Sequence, residues 1–401
     1  MKILHTADWH LGKRLDSFSR LEEQVKVMEE IVAIADAENV DLVLVAGDLF
    51  DNFNPPVDAV ELFYKTLKRL SKNGARPVIA ISGNHDAPGL IDAPDPLAKA
   101  CGIILIGQPN ALIPPYELEQ FSVGRSDKGF LELQLKAYDF PVRILHTAYA
   151  NEQRLRENLG ENKEEELNRL LAANWQKLAD TYCDTNGVNL LMAHLYMNKK
   201  GAAIIEEPEG EKPIKIGNAA MIYSESIPHQ VQYTALGHLH GFKNIGTEEQ
   251  PVIYASSPVC YSFSEAGQQK YVSIVEVQPG QQAQYQKMVL QSGRPLYRKT
   301  FDQIDAAVEW LLANPDALVE LTLESETFLT AEERKRIYQS HNGIIFLIPK
   351  LKSDKIALKE GASVDLDQDI QSLFKDYFRS RHGQQEPNEE LMHLFNEILN
   401  S

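Results

Sequence analysis

Aspartate, asparagine and histidine recur in this sequence in short runs that suit cation binding: Asp8-Trp9-His10, Gly47-Asp48, Gly83-Asn84-His85-Asp86, His194 and Gly237-His238-Leu239-His240. The donors are carboxylate oxygen, amide oxygen and imidazole nitrogen without thiolate. That set suits manganese or iron, with zinc as an alternative, better than it suits a structural zinc site. Asp8, His10, Asp48, Asn84, His194, His238 and His240 are too many donors for one tetrahedral ion and match two divalent cations, which the carboxylate of Asp48 can bridge. In Asp8-Trp9-His10 and His238-Leu239-His240, alternate residues of an extended chain face the same way, so two donors address one site while the middle residue packs away. The chemistry this implies is phosphoester hydrolysis by an activated water, with no covalent nucleophile.

Each piece alone has a plainer reading. Asp48 reads as a turn or helix-cap aspartate, Gly83 to Asp86 as an asparagine-containing turn, and His194 as a hydrogen-bonded histidine closing a strand. Their placement favours the metal centre. Apolar runs that predict strands cover Lys2 to Ala7, Asp41 to Ala46, Pro77 to Ser82, Val142 to Thr147, Val188 to Ala193, Gln232 to Leu236, Val252 to Ala255 and Tyr271 to Val277. Five of these runs are followed directly by the donors, and ligands of open α/β sheets bind outside the carboxyl ends of the strands. Amphipathic helices are predicted over Arg20 to Glu38, Ala59 to Ser71 and Glu164 to Tyr182. His5, His146, His229, His341, His382 and His393 lie outside the series and keep a structural reading. The five residues Ile3 to Ala7 return as Ile144 to Ala148, a similarity of two strands and not a repeat.

At 401 residues, with 43% hydrophobic and 24% charged residues, the chain has the composition of a folded multidomain protein. It opens directly on a strand-like segment and holds no apolar run long enough to span a bilayer, which suggests no membrane and a cytoplasmic setting. Cys101, Cys183 and Cys260 are an odd, dispersed set that predicts buried fillers and neither disulfides nor a zinc knuckle. The formal net charge of −17 argues against a broad basic nucleic-acid surface. The expected organisation is a first domain over 1–280, a small α/β domain over 281–351, a polar linker over 352–366 and two amphipathic helices within 367–401. In the second domain, strands are predicted at Leu296 to Thr300, Val319 to Leu323 and Ile344 to Pro349, with helices at Ile304 to Leu312 and Ala331 to Gln339. Ile370, Leu373, Phe374, Tyr377, Leu391, Leu394, Phe395 and Ile398 need a surface to pack on, either the parent domain or a partner helix.

The ordered motifs Asp8 to Gly12, Gly47 to Asp51, Gly83 to Asp86 and Gly237 to His240 resemble the calcineurin-like metallophosphoesterases, and specifically their DNA-nuclease branch, over essentially the whole chain. The resemblance implies an α/β fold of four layers, an αββα sandwich, with a small DNA-capping α/β domain and terminal helices that dock on the coiled coil of an ATPase partner. It also implies a manganese-dependent 3′ to 5′ exonuclease on duplex ends, an endonuclease on single strands and hairpins, and a homodimer within a heterotetramer. By motif position, Asp8, His10, Asp48 and His240 would hold one cation and Asp48, Asn84, His194 and His238 the other. His85 would be the catalytic histidine, with Asp86 orienting it. Lys13, Arg14, Arg20, Lys199 and Lys200 are candidate DNA contacts beside the motif loops. A protein phosphatase of the same family would show G-D-x-x-D-R-G and G-N-H-E, whereas Asp48 is followed here by Leu49-Phe50-Asp51-Asn52 and the third motif ends in Asp86. A non-catalytic DNA scaffold would have no use for the seven donors.

Overall fold

Alternation along the strands sets the layers, because successive side chains of a strand face opposite sides of its sheet. In a computed structural model, which describes residues 1–205, 221–326, 329–351 and 370–381 with the single positions 387, 391, 392, 395 and 399, two sheets face one another. The first has six strands in the order Gln284–Leu290, Lys270–Glu276, Lys2–Thr6, Leu42–Ala46, Val78–Ile81 and Ile103–Ile106. The second has eight, in the order Lys243–Asn244, Val252–Tyr254, Tyr233–Gly237, Val188–His194, Val142–Thr147, Phe130–Leu135, Phe121–Asp127 and Tyr116–Glu117.

Ile3, Leu44 and Ile79 from the first sheet meet Ile144, Leu190 and Tyr233 from the second in an inter-sheet core. Leu4, Val43 and Val45 turn outward onto Val27, Ile31, Phe63 and Leu67 of the helices Leu21–Ala37 and Val57–Leu70. Leu145, Leu191 and Leu236 pack on Leu167, Leu171 and Trp175 of the helix Lys163–Tyr182. The layers are therefore helix, sheet, sheet, helix, the expected αββα sandwich. Lys2–Thr6, Leu42–Ala46 and Val78–Ile81 run parallel in one sheet, as do Val188–His194 and Tyr233–Gly237 in the other, so the donor loops of each sheet leave from a common end.

The strands and helices predicted within residues 1–351 are all present, with ends shifted by a residue or two, as frayed termini allow. Besides several two-residue strands, four longer ones go beyond the sequence expectation: Ile103–Ile106, Phe121–Asp127, Phe130–Leu135 and Gln284–Leu290. The last pairs antiparallel with Lys270–Glu276, so the six-stranded sheet draws on residues past the break expected near Pro279-Gly280. Its alternation is blurred because most of its side chains are exposed. A three-stranded sheet follows, of Leu296–Phe301, Leu318–Ser325 and Ile344–Leu351, with the helices Ile304–Ala313 and Ala331–Ser340. Cys260 is buried, whereas Cys101 and Cys183 are only partly covered, and all three are free thiols.

By contact the chain forms two units, one of Met1–Leu323 with Ala331–Ile348 and one of Glu324–Thr330 with Pro349–Ser401. In the second unit the helix Ile370–Arg381 stacks Phe374 on Phe395, ring centroids 4.0 Å apart. The expected linker 352–366, the start of the first terminal helix at 367–369, Leu394, Ile398, His382 and His393 lie outside the described residues.

Candidate metal centre

Three of the strands that end at the common edge, Lys2–Thr6, Leu42–Ala46 and Tyr233–Gly237, hand their donors to loops under visible backbone constraint. Asp8, His10, Asp48 and His238 have φ of 54°, 42°, 47° and 108°. Such angles are uncommon for residues with a Cβ and cluster where a fold holds side chains for function. The extended-strand argument for Asp8 and His10 thus reaches the right outcome by the wrong geometry, since both are left-handed. Trp9 packs away on Phe63 as expected and donates from its indole to Thr6 Oγ1 at 3.0 Å.

The sheets approach closely at this end. His194 Nδ1 lies 2.9 Å from the carbonyl oxygen of Ala46 in the opposite sheet. A Cβ on Gly237 would fall 1.9 Å from that same oxygen, and one on Gly83 would fall 2.0 Å from Asp48 Oδ1. Glycine is required at both places by contact.

The seven donors converge. Asp48 Oδ2 is 3.3 Å from His194 Nε2 and 3.6 Å from His10 Nε2. Asp8 Oδ1 is 3.7 Å from His194 Nδ1 and accepts the His238 backbone N–H at 2.8 Å. Asn84 Oδ1 sits 2.9 Å from His194 Nε2 and 3.3 Å from His238 Nδ1, and His10 Nε2 is 3.0 Å from His240 Nε2. Two overlapping clusters of ionisable donors result, Asp8 with His10 and Asp48, and Asp48 with His194 and His238, which share Asp48. Their members are at most 1% exposed.

Burial works against the charges of these groups, and their neighbours decide the balance. Asp8 is pushed up to about 7 by burial, against the opposing pull of His194 and His240. Asp48 is held well below the carboxylate range: burial raises it, but His194, His85 and His10 together outweigh that. Burial lowers His194 while Asp48 and Asp8 more than offset it, leaving it at about 9. Asp8 Oδ2 and Asp48 Oδ2 are buried without a hydrogen-bond partner among the described residues, a costly arrangement for carboxylate oxygens. Oxygens of this kind beside imidazole nitrogens form a donor set that fits divalent cations.

His85 lies beside this cluster, its Nδ1 2.7 Å from the Asp51 carbonyl oxygen and its backbone N–H donated to Asp48 Oδ1 at 2.9 Å. Asp86 accepts the backbone N–H groups of Gly83, Leu49 and Phe50 at 2.7, 3.0 and 2.9 Å, which clasps the second and third motif loops together. Burial raises it to about 6. Lys13 pairs with Asp51 Oδ1 at 3.1 Å. Arg20, expected as a surface contact, is instead fully buried in a pair with Glu23 and donates to the Cys260 carbonyl, so it is a structural cation.

Several residues at the site escaped the sequence reading. Gln24 donates to the His10 carbonyl at 2.8 Å, and Tyr261 donates to that of Trp9. Arg154 donates to the carbonyls of Gly83 and Asp86. Glu265 reaches His240, and its one sequence signal is the Ser262-x-x-Glu265 spacing of a capping box, which is present.

The family model described as calcineurin-like phosphoesterase matches residues 1–241. The chain is 35% identical to the D subunit of the nuclease SbcCD from Bacillus subtilis (strain 168), over 99% of this chain and 97% of that one. It is 30% identical to the protein of the same name from Staphylococcus saprophyticus, over 69% of this chain and 66% of that one, and 29% identical to that of Rhodobacter capsulatus, over 70% and 67%. With the αββα layers and the shared donor cluster at the strand ends, these matches mean that the chain belongs to the calcineurin-like phosphoesterase family, in the group formed by the SbcCD D subunits.

Proposed function

We propose that the protein is a two-cation DNA nuclease, the D subunit of an SbcCD-type repair complex. The observation that carries this reading is the convergence of Asp8, His10, Asp48, Asn84, His194, His238 and His240 from two sheets, with two buried carboxylate oxygens unmatched by hydrogen bonds among the described residues. The relatives' name supplies the substrate class. Asp8, His10, Asp48 and His240 hold one divalent cation and Asp48, Asn84, His194 and His238 the other, with manganese the ion that best suits an oxygen and nitrogen set.

Cations bound there supply Lewis acidity toward the phosphoryl oxygens and a water of lowered pKa. The chain's own contribution is position and proton transfer. A carbonyl oxygen only accepts, so the Asp51 carbonyl holds the hydrogen of His85 on Nδ1. That leaves Nε2 as the nitrogen that, when the ring is in its imidazolium form, gives its proton to the leaving 3′ oxygen and returns the ring to the neutral Nδ1–H tautomer. Asp86 keeps His85 in place through the loop backbone, as a positioning residue.

The activities that follow are 3′ to 5′ exonuclease on duplex ends and endonuclease on single strands and hairpins. In this reading residues 1–280, completed by the edge strand Gln284–Leu290, form the nuclease domain, the rest of 281–351 a domain that caps the DNA, 352–366 a linker, and 367–401 helices that dock on the coiled coil of an SbcC-type ATPase. The complex is a homodimer within a heterotetramer and works in the cytoplasm. The ATPase supplies the DNA affinity that a chain of net charge −17 lacks.

The test is manganese-dependent cleavage of a labelled blunt duplex by the chain with and without its ATPase, beside a phosphopeptide. Cleavage is expected, and His85→Ala should bind the same number of cations while turnover falls by about 10²–10⁴-fold. Phosphopeptide turnover with inert DNA would replace this reading by a phosphatase. Loss of cations in the variant would remove His85 from its catalytic role.

A further inference from the structure

We infer that Glu265, locked in place by Lys270, is the positioning residue of His240 and selectively strengthens the cation site to which His240 belongs. The inference rests on the metal centre proposed above and extends it to residues outside every motif.

His240 is held from both ends. Its Nε2 faces His10 Nε2 at 3.0 Å, inside the donor cluster. Its Nδ1 faces Glu265 Oε1 at 3.2 Å on the far side of the ring. Glu265 is almost fully buried, and its other oxygen, Oε2, takes a 2.5 Å ion pair from Lys270 Nζ, which also donates to the His240 carbonyl at 2.8 Å. Oε1 further accepts the backbone N–H groups of Tyr261 and Ser262, both at 3.2 Å, so the carboxylate cannot turn away. One ammonium and two backbone N–H donors thus converge on this carboxylate, a pocket shaped for an anion.

An ionised carboxylate only accepts hydrogen bonds, so the ring hydrogen of His240 sits on Nδ1 and the lone pair on Nε2 points at the cation position. The negative charge behind the ring makes that lone pair more basic. The corresponding nitrogen of His194 has a neutral carbonyl as its hydrogen-bond acceptor, Ala46 O at 2.9 Å, and the nearest carboxylate, Asp8 at 3.7 Å, is itself one of the seven donors and not a group behind the ring. The two cation sites thus differ in charge one shell out. Lys270 permits the arrangement, since an unpaired anion at that depth would be costly.

The experiment counts manganese ions on the full chain by calorimetry and by electron paramagnetic resonance of the free ion, with thermal melting as a check on folding. The wild type should bind two. Glu265→Gln keeps the Oε1 acceptor for Tyr261 and Ser262 and removes the charge; one ion should then weaken by about 10–100-fold while the other keeps its affinity. On a His240→Ala background the same change should cause no further loss. Equal weakening of both ions, no change in either, or additive losses in the double variant would overturn the inference. ¹⁵N-histidine spectra of the cation-free wild type read the same contact without a variant: a protonated Nδ1 on His240 is expected, and a bare Nδ1 would overturn it. Failure of the wild type to bind manganese alongside a protonated Nδ1 would instead count against the metal centre.

Discussion

His146 has no hydrogen-bond partner on either ring nitrogen among the described residues and is 1% exposed. It sits on the inter-sheet face of its strand, between Ile144 and Ala148, much as His5 does between Ile3 and Ala7 in the facing sheet. The five-residue similarity of these strands is therefore two inward-facing histidines in opposite layers. Burial lowers His146 to about 4 and His5 to about 3, both from 6.5, so each ring is neutral in the fold. Between pH 6.5 and 4 the unfolded chain binds more protons at these positions, so stability falls as pH falls through that window. Each histidine contributes roughly 1.4 kcal/mol per pH unit there. Replacing His146 by leucine should remove one of the two contributions. Urea melts at pH 5 and pH 7 should show a smaller acid loss in the variant than in the wild type, and an identical loss in both would contradict this account.

At the scale of the elements, the site exists because strand ends from two sheets come within hydrogen-bond distance, and small residues at those ends permit it. Gly237 closes the strand Tyr233–Gly237 against Ala46 and lies beside His194. An alanine there would press its Cβ into a carbonyl oxygen at 1.9 Å and into the His194 ring at 2.8 Å. Neither the strand nor the ligand can yield without moving the sheet. Gly237→Ala should cost about 1–3 kcal/mol of stability, seen as a lower denaturant midpoint, and should weaken cation binding because it displaces His194 and His238 together. Unchanged cation affinity would show that the sheets are not held at this distance for the sake of the donors. The helices Lys163–Tyr182, Leu21–Ala37 and Val57–Leu70 cover the outer faces of the sheets and leave the donor edge open, and Gln24 of Leu21–Ala37 reaches from there to the His10 carbonyl.

At the scale of the whole molecule, the acidic balance and the separate second unit belong together. None of the helices in the described residues is long and apolar enough to cross a membrane. On the helix Ile370–Arg381, Ile370 and Tyr377 are 56% and 59% exposed, an arrangement suited to a partner helix. Under the proposed assembly, Tyr377→Asp combined with Ile370→Asp should reduce co-purification with the ATPase by at least about tenfold, since a buried charge in an apolar interface costs more than about 1.4 kcal/mol. Cation binding should be unchanged, because the donors belong to the other unit. Full retention of the ATPase would return these helices to packing on their own chain.

The candidate donors were legible in the sequence because each lies just past an apolar run, a pattern that can be read without any knowledge of neighbours. The strand–helix alternation was legible for the same reason. Arg20 was misread because nothing local distinguishes a solvated arginine from one buried against Glu23 and the Cys260 carbonyl 240 residues away. Gln284–Leu290 was missed because an exposed edge strand carries little hydrophobic pattern. Glu265, Lys270, Arg154 and Gln24 act on the site by contacts across the chain, and no spacing rule encodes them. The sequence by itself determined which side chains offer oxygen and nitrogen donors and which strands they follow. Only the tertiary structure decided how close the sheets approach, which residues take left-handed backbone to aim the donors, and which charges stand behind them, because those depend on packing between segments far apart in the chain.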